Sequence, residues 1–169
     1  LVDPLDGTKE FVKKNDEFSV NIALIHKNMP ILGVVYAPAL DVCYWAVKGE
    51  GAFKNGQKLP LKSKEQRKNY KIVVSRSHMS HETQAFIEQI KTNKKKELIS
   101  KGSSLKVCLV AEGEVDIYPR LAPTMEWDTG ASHVIVNESG MKLRGFVDNS
   151  YTNFLYNKEN LLNSEFIVA

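Results

Sequence analysis

Two apolar runs, Phe18 to Ile25 and Ile31 to Tyr36, flank a short segment that contains Asn28 and Pro30. Such residues reverse a chain, so the pair reads as a β-hairpin. Val42 to Val47 reads as a third strand. Gly49, Gly51, Asn55 and Gly56 mark tight turns around a short Ala52-Phe53 segment. This first block is therefore a mainly antiparallel meander, which needs a covering layer on at least one face.

The later pattern alternates. Leu61 to Tyr70 is polar and Lys-rich and reads as a surface connection. Lys71 to Ser75 reads as a strand, and Ser80 to Lys91 as an amphipathic helix with Phe86, Ile87 and Ile90 inward. Lys94 to Lys96 reads as a loop or helix end, followed by a short strand at Leu98-Ile99 that ends at Gly102. Ser103 to Glu112 reads as a helix closed by Gly113, with Ser103 as its N-cap. Val115 to Tyr118 reads as a strand, and Thr124 to Glu138 contains a helix with Gly140 after it. Short strands are expected near Met141, Phe154 and Phe166. The fold class is α/β, with at least two layers of helix against sheet. The 169 residues divide into a first part, 1–62, and a second, 71–169. No internal repeat or low-complexity tract is present.

Composition narrows the function. Hydrophobic residues at 43% and charged residues at 25% exclude a disordered chain, and no apolar run approaches the ~20 residues of a membrane-spanning helix. A net charge of +3 suits an anionic small molecule and is too weak to argue for a nucleic acid polymer. Cys43 and Cys108 lie in apolar stretches without metal-site spacing and read as buried free thiols in a reducing compartment.

The segment Asp3-Pro4-Leu5-Asp6-Gly7-Thr8 puts two carboxylates on either side of a tight turn. Pro4 fixes φ, and Gly7 admits a backbone conformation closed to other residues. Carboxylates held so close repel, and a divalent cation between them relieves this. Their hard oxygens suit Mg²⁺. The N–H groups of Gly7 and Thr8 are placed to open a helical turn, where a phosphate is favoured. Each dipeptide alone is an ordinary turn, but the hexapeptide arises by chance on the order of once in millions of positions. A second motif, Glu126-Trp127-Asp128-Thr129-Gly130-Ala131-Ser132, puts Asp128 near a helix start. There an acid serves as a cap by itself, and as a metal ligand if it meets the first motif.

These motifs resemble those of the inositol-monophosphatase superfamily of Mg²⁺-dependent, lithium-sensitive phosphatases. Within it they resemble the bacterial 3′(2′),5′-bisphosphate nucleotidases of sulfur assimilation. Further stretches carry the likeness: Ile31 to Pro38, Ser75-Arg76-Ser77-His78, Gly102 to Lys106, Cys108 to Gly113 and Tyr118-Pro119-Arg120. The resemblance implies a sugar-phosphatase-like αβαβα sandwich. It makes Asp3 the bridge between two metals, gives the Leu5 carbonyl to the first, and gives Asp6 and Asp128 to the second. Two or three Mg²⁺ ions are expected in the complete enzyme. Gly7 and Thr8 hold the scissile phosphate, and the Thr8 hydroxyl orients the attacking water. His78, Ser103, Lys106 and Arg120 contact the nucleotide. Lys9, Arg76 and His133 lie near the motifs with weaker claims.

The implied reaction removes the 3′-phosphate of adenosine 3′,5′-bisphosphate, giving AMP and phosphate, and 3′-phosphoadenylyl sulfate is a second expected substrate. An inositol or sugar monophosphatase and a non-catalytic nucleotide-binding module are the alternatives. The expected location is the cytoplasm, with relatives also at the inner membrane face. In the family a helical segment precedes the first motif, covers one side of the first sheet, and carries a metal-binding glutamate and a water-activating acid. No residue here takes those roles. The reading therefore expects a fragment that lacks this segment, binds metal weakly and turns over slowly or not at all.

Overall fold

The computed structural model describes residues 1–63, 67–76 and 79–169. Six antiparallel strands form the first sheet in chain order: β1 (Val2–Asp6), β2 (Ser19–His26), β3 (Met29–Ala37), β4 (Val42–Val47), β5 (Gly51–Lys54) and β6 (Gln57–Lys58). A short helix, α1 (Thr8–Val12), interrupts β1 and β2, and a 3₁₀ turn at Pro38–Leu40 joins β3 to β4. The β2–β3 hairpin turns through Lys27 and Asn28, both at positive φ, a two-residue geometry that matches the twist of the strands.

The second half begins with β7 (Asn69–Ser75), α2 (His81–Gln89) and β8 (Lys95–Lys101), with β7 and β8 parallel. Then come α3 (Leu105–Ala111), β9 (Tyr118–Arg120), α4 (Glu126–Glu138), β10 (Leu143–Val147), β11 (Ser150–Thr152) and β12 (Phe166–Val168). Strands β11, β10, β12 and β9 form an antiparallel sheet in that order. A parallel bridge between Ile72 and Ile117 links β7 to the chain entering β9.

Helix α4 is buried on nearly every side because it lies between layers, against β2, β3 and β4 on one flank and α3 on another. Its small residues permit the approach: a Cβ on Gly33 of β3 would stand 2.3 Å from the Ala131 carbonyl oxygen. The main core joins Val35, Tyr44 and Ala46 of the first sheet to Val107, Val110, Val134 and Ile135 of the helices and Phe166 of the last strand. A smaller cluster of Ile72, Val74, Ile87, Ile117 and Ile167 lies under α2, with Phe86 and Ile90 packed beside it. On the outer face of the first sheet, strand register aligns Val2, Ile22, Val34, Trp45 and Phe53 in one row.

The layered α/β architecture agrees with the sequence reading, and the differences are local. Lys95 and Lys96 belong to β8, which runs to Lys101 and is longer than the Leu98-Ile99 segment expected. Pairing with β7 overrides a composition that favours a solvated loop. The Lys96 ammonium donates to the Ile87 and Glu88 carbonyls at the end of α2, at 2.8 and 3.0 Å, and so caps a neighbouring helix. The strand expected at Val115 to Tyr118 lies at Tyr118–Arg120, and the residues before it bond to β7 through Lys71 and Val73. Phe154 lies in no strand. It is buried among Tyr156, His133 and Phe166. Helix α3 starts at Leu105 with Ser104, not Ser103, as N-cap. Cys108 is buried but Cys43 is only half-buried.

Candidate active site

Asp3 and Asp6 are brought to one face by an irregularity in β1. Asp3 pairs with Asn21 and Asp6 with Ser19, so three steps along β1 match two along β2. A regular strand would send residues three apart to opposite faces, and the extra residue in this bulge cancels that alternation. Asn21 and Ser19 both face inward and are buried. Pro4 and Leu5 form the turn of the bulge, where the Leu5 N–H donates to Asp3 Oδ1 at 3.0 Å. Gly7 follows at φ +83° and serves as N-cap of α1. A Cβ there would press on the Glu17 carbonyl and Ser103.

Asp128 reaches the same place from the start of α4. Its Oδ2 accepts the Met125 N–H at 2.7 Å, so it caps the helix as well. Capping occupies one oxygen and leaves the other for the cluster. One carboxylate oxygen from each of Asp3, Asp6 and Asp128 lies within 4.8 Å of the others. Burial, and then the repulsion of Asp6 and Asp3, hold the Asp128 carboxyl up at about 6 against the Met125 N–H and Arg120. Asp3 is raised chiefly by burial, with Asp6 adding to it. Three half-buried carboxylates this close together suit a hard divalent cation, and their all-oxygen donor set fits Mg²⁺.

A cavity of about 210 Å³ opens beside this trio. Asp6, Gly7, Thr8, Ser103, Lys106, Arg120 and Asp128 line it, together with Glu10, Ser104 and Tyr118. Asp3 and Leu5 are not among the lining residues. Lys106 is buried, and its ammonium donates to the Ser103 carbonyl at 2.6 Å and stands 5.6 Å from the Tyr118 ring centre. Burial lowers Lys106 to about 8, although Asp6, Glu10 and Asp128 favour its charge. Ser103 itself sits at φ +46°, a conformation rare for a residue with a Cβ. Arg120 donates to the Pro123 carbonyl at 3.2 Å at the cavity rim. His78 lies outside the described residues. His133 is buried away from the cavity lining and meets Tyr156 at 3.0 Å through Nδ1.

The profile of the inositol monophosphatase family matches residues 1–166. The chain belongs to that family. The 3′(2′),5′-bisphosphate nucleotidase CysQ of Salmonella typhimurium strain LT2 is 49% identical over 142 residues, covering 83% of this chain and 56% of its own. Its namesake from Buchnera aphidicola subsp. Acyrthosiphon pisum is 46% identical over 172 residues, covering 100% of this chain and 63% of its own. The chain thus spans less than two thirds of these curated relatives. The crystal structure of CysQ from Bacteroides thetaiotaomicron, a bacterial member of the family, superposes with a TM-score of 0.91 at 45% identity. It covers 99% of this chain and 68% of that one.

Several residues at the site were given no role by the sequence reading, although Ser104 lies within the Gly102 to Lys106 stretch. Ser104, Asn21 and Ser19 bond to Asp6, and Glu17 holds the loop before α3. Asn21 carried a signal: it is the one amide in the apolar run Val20 to Ile25. A polar residue at an inward strand position needs a partner.

Proposed function

We propose that this chain carries the metal centre of a phosphatase that converts adenosine 3′,5′-bisphosphate to AMP and inorganic phosphate. 3′-Phosphoadenylyl sulfate is a second substrate in this reading, and the setting is cytoplasmic sulfur metabolism. One observation carries it: an acidic trio and two cations, Lys106 and Arg120, flank a single cavity. A substrate with two phosphates uses both the acidic trio, through a cation, and the Lys106 and Arg120 pair, whereas a single phosphate at the trio would leave that pair without a bound phosphate. The names of the relatives point the same way.

In this reading the carboxylates of Asp3, Asp6 and Asp128 and the Leu5 carbonyl hold Mg²⁺. When bound, the ions lower the pKa of water and neutralise charge on the reacting phosphoryl group. Gly7 and Thr8 hold the scissile phosphate with backbone N–H groups, and the Thr8 hydroxyl orients a water in line with the ester bond. The water oxygen bonds to phosphorus and gives up a proton, the bond from phosphorus to the ribose 3′-oxygen breaks, and that oxygen takes up a proton from solvent and leaves as a hydroxyl. Ser103, Lys106 and Arg120 grip the remaining phosphate and ribose.

The test compares release of phosphate from adenosine 3′,5′-bisphosphate and from inositol 1-phosphate in the presence of Mg²⁺. The bisphosphate should be preferred at least tenfold in kcat/KM, and Lys106→Met should erase most of that preference. Asp128→Asn should abolish turnover and keep nucleotide binding. Equal rates on both substrates would point to a monophosphatase, and hydrolysis that survives Asp128→Asn would remove the metal centre from the reaction.

A further inference from the structure

The carboxylate trio is half-buried, and fully buried polar side chains that the scheme above gives no task lie against it. Ser19, Asn21 and Ser104 are 0%, 1% and 4% exposed. A buried amide or hydroxyl costs about 1–3 kcal/mol unless it is bonded, so such a set persists only as a satisfied network. Here the network is directional. The Ser19 hydroxyl donates to Asn21 Oδ1 at 3.1 Å, which turns the Asn21 amide nitrogen toward Asp6. That nitrogen then donates to Asp6 Oδ2 at 3.1 Å and to Ser104 Oγ at 2.9 Å.

Ser104 completes the arrangement from the other half of the chain. Its N–H donates to Asp6 Oδ2 at 2.6 Å. Its Oγ lies 2.7 Å from that same oxygen and 2.7 Å from the backbone carbonyl of Asp128. One hydroxyl therefore touches both carboxylate-bearing residues, the first on β1 and the other on α4. The bonds from Ser19, Asn21 and Ser104 to the Asp6 carboxylate all end on Oδ2.

We infer that Ser104, backed by Asn21, is a positioning residue. It ties one oxygen of Asp6 to the protein and holds Asp6 in register with Asp128, leaving the other oxygen for a shared cation. The inference rests on the metal-dependent reading of the site. Groups that orient a ligating carboxylate typically carry 10–100-fold in metal affinity. Ser104 touches neither substrate nor reacting atoms in this scheme and acts through Asp6 and its alignment with Asp128.

The test measures Mn²⁺ binding to the 169-residue chain by loss of the free-ion electron paramagnetic resonance signal, alongside the unfolding transition in EDTA. Ser104→Ala should weaken Mn²⁺ 10–100-fold. Ser104→Thr, which keeps the hydroxyl, should stay within about threefold of the parent, and Asn21→Ala should weaken binding in the same direction as Ser104→Ala. All three should keep one cooperative transition in EDTA. Parental affinity in Ser104→Ala overturns the inference, and so does equal weakening in Ser104→Thr, since packing would then be at work. Loss of the cooperative transition also overturns it, because the hydroxyl would then belong to the folding core. Failure of the parent chain to take up Mn²⁺ sinks the metal-dependent reading itself, whatever the variants do.

Discussion

Asp3 and Asp6 point to one face of the same strand although three residues separate them. The bulge between the Asp3–Asn21 and Asp6–Ser19 pairs makes this possible, and it puts both acids within reach of Asp128. The arrangement stores repulsion that a cation releases.

Asp3→Asn should therefore act with opposite signs in two conditions. In EDTA the variant should unfold at the same temperature as the parent or higher, because a half-buried acid raised by burial and by Asp6 has been neutralised. With millimolar Mg²⁺ the parent should gain stability and the variant should gain little. Differential scanning calorimetry with and without chelator reads both. A metal-induced rise of equal size in the two proteins would contradict the account.

His133 contributes to the loss of stability in acid. It is buried beside Tyr156 and Phe154, and burial, with Lys142 adding to it, lowers it from 6.5 to about 4. The unfolded chain takes up a proton near pH 6.5 that the folded chain refuses. Its contribution is thus complete above pH 6.5 and is lost as pH falls toward 4, by roughly 3 kcal/mol in all. Protonation of Asp128, raised to about 6, acts in the opposite direction over the same range in both proteins, so the reading is a difference: between pH 6.5 and 4 the parent should lose roughly 3 kcal/mol more stability in urea unfolding than His133→Gln.

Gly33→Ala tests the seam between sheet and helix. The added methyl would meet the Ala131 carbonyl at 2.3 Å and Val134 Cγ1 at 2.6 Å. Backbone cannot yield there as a flexible side chain would, so the cost should reach about 3 kcal/mol. The contrasting variant is Gly49→Ala, where the added methyl meets nothing within 4 Å and only positive φ opposes it. Thermal midpoints should separate the two clearly.

Glu17→Ala should loosen the loop that leads into α3. The carboxylate accepts two bonds from Arg76, at 3.1 and 2.9 Å, one from Lys101 at 3.2 Å and one from the Gly102 N–H at 2.8 Å. Burial pushes this acid up, yet the donors from Arg76, Lys101 and Gly102 together hold it below its usual value. Removing it leaves a buried N–H unpaired, at about 2 kcal/mol. Hydrogen exchange at Gly102 and Ser103 should accelerate, while exchange in β3 stays unchanged.

The meander, the hairpin turns and the acid motifs were legible in the sequence because local chemistry determines them. Apolar alternation selects strands, Asn and Gly select the turns, and Asp-Pro-Leu-Asp-Gly-Thr specifies its own bend. The family resemblance was legible for the same reason, since it rests on contiguous residues. The first part of strand β8 was not legible, because Lys95 and Lys96 look like solvent-facing charge until β7 supplies a partner. Nor were the roles of Ser104, Asn21 and Glu17. Each depends on at least one bond to a residue 59 to 98 positions away, as between Glu17 and Arg76, Asn21 and Ser104, and Ser104 and Asp6. Residue type and local spacing act over a few positions of the chain. Which carboxylate oxygen is tied down, and which is left for an ion, is decided only when sheet and helix close on one another.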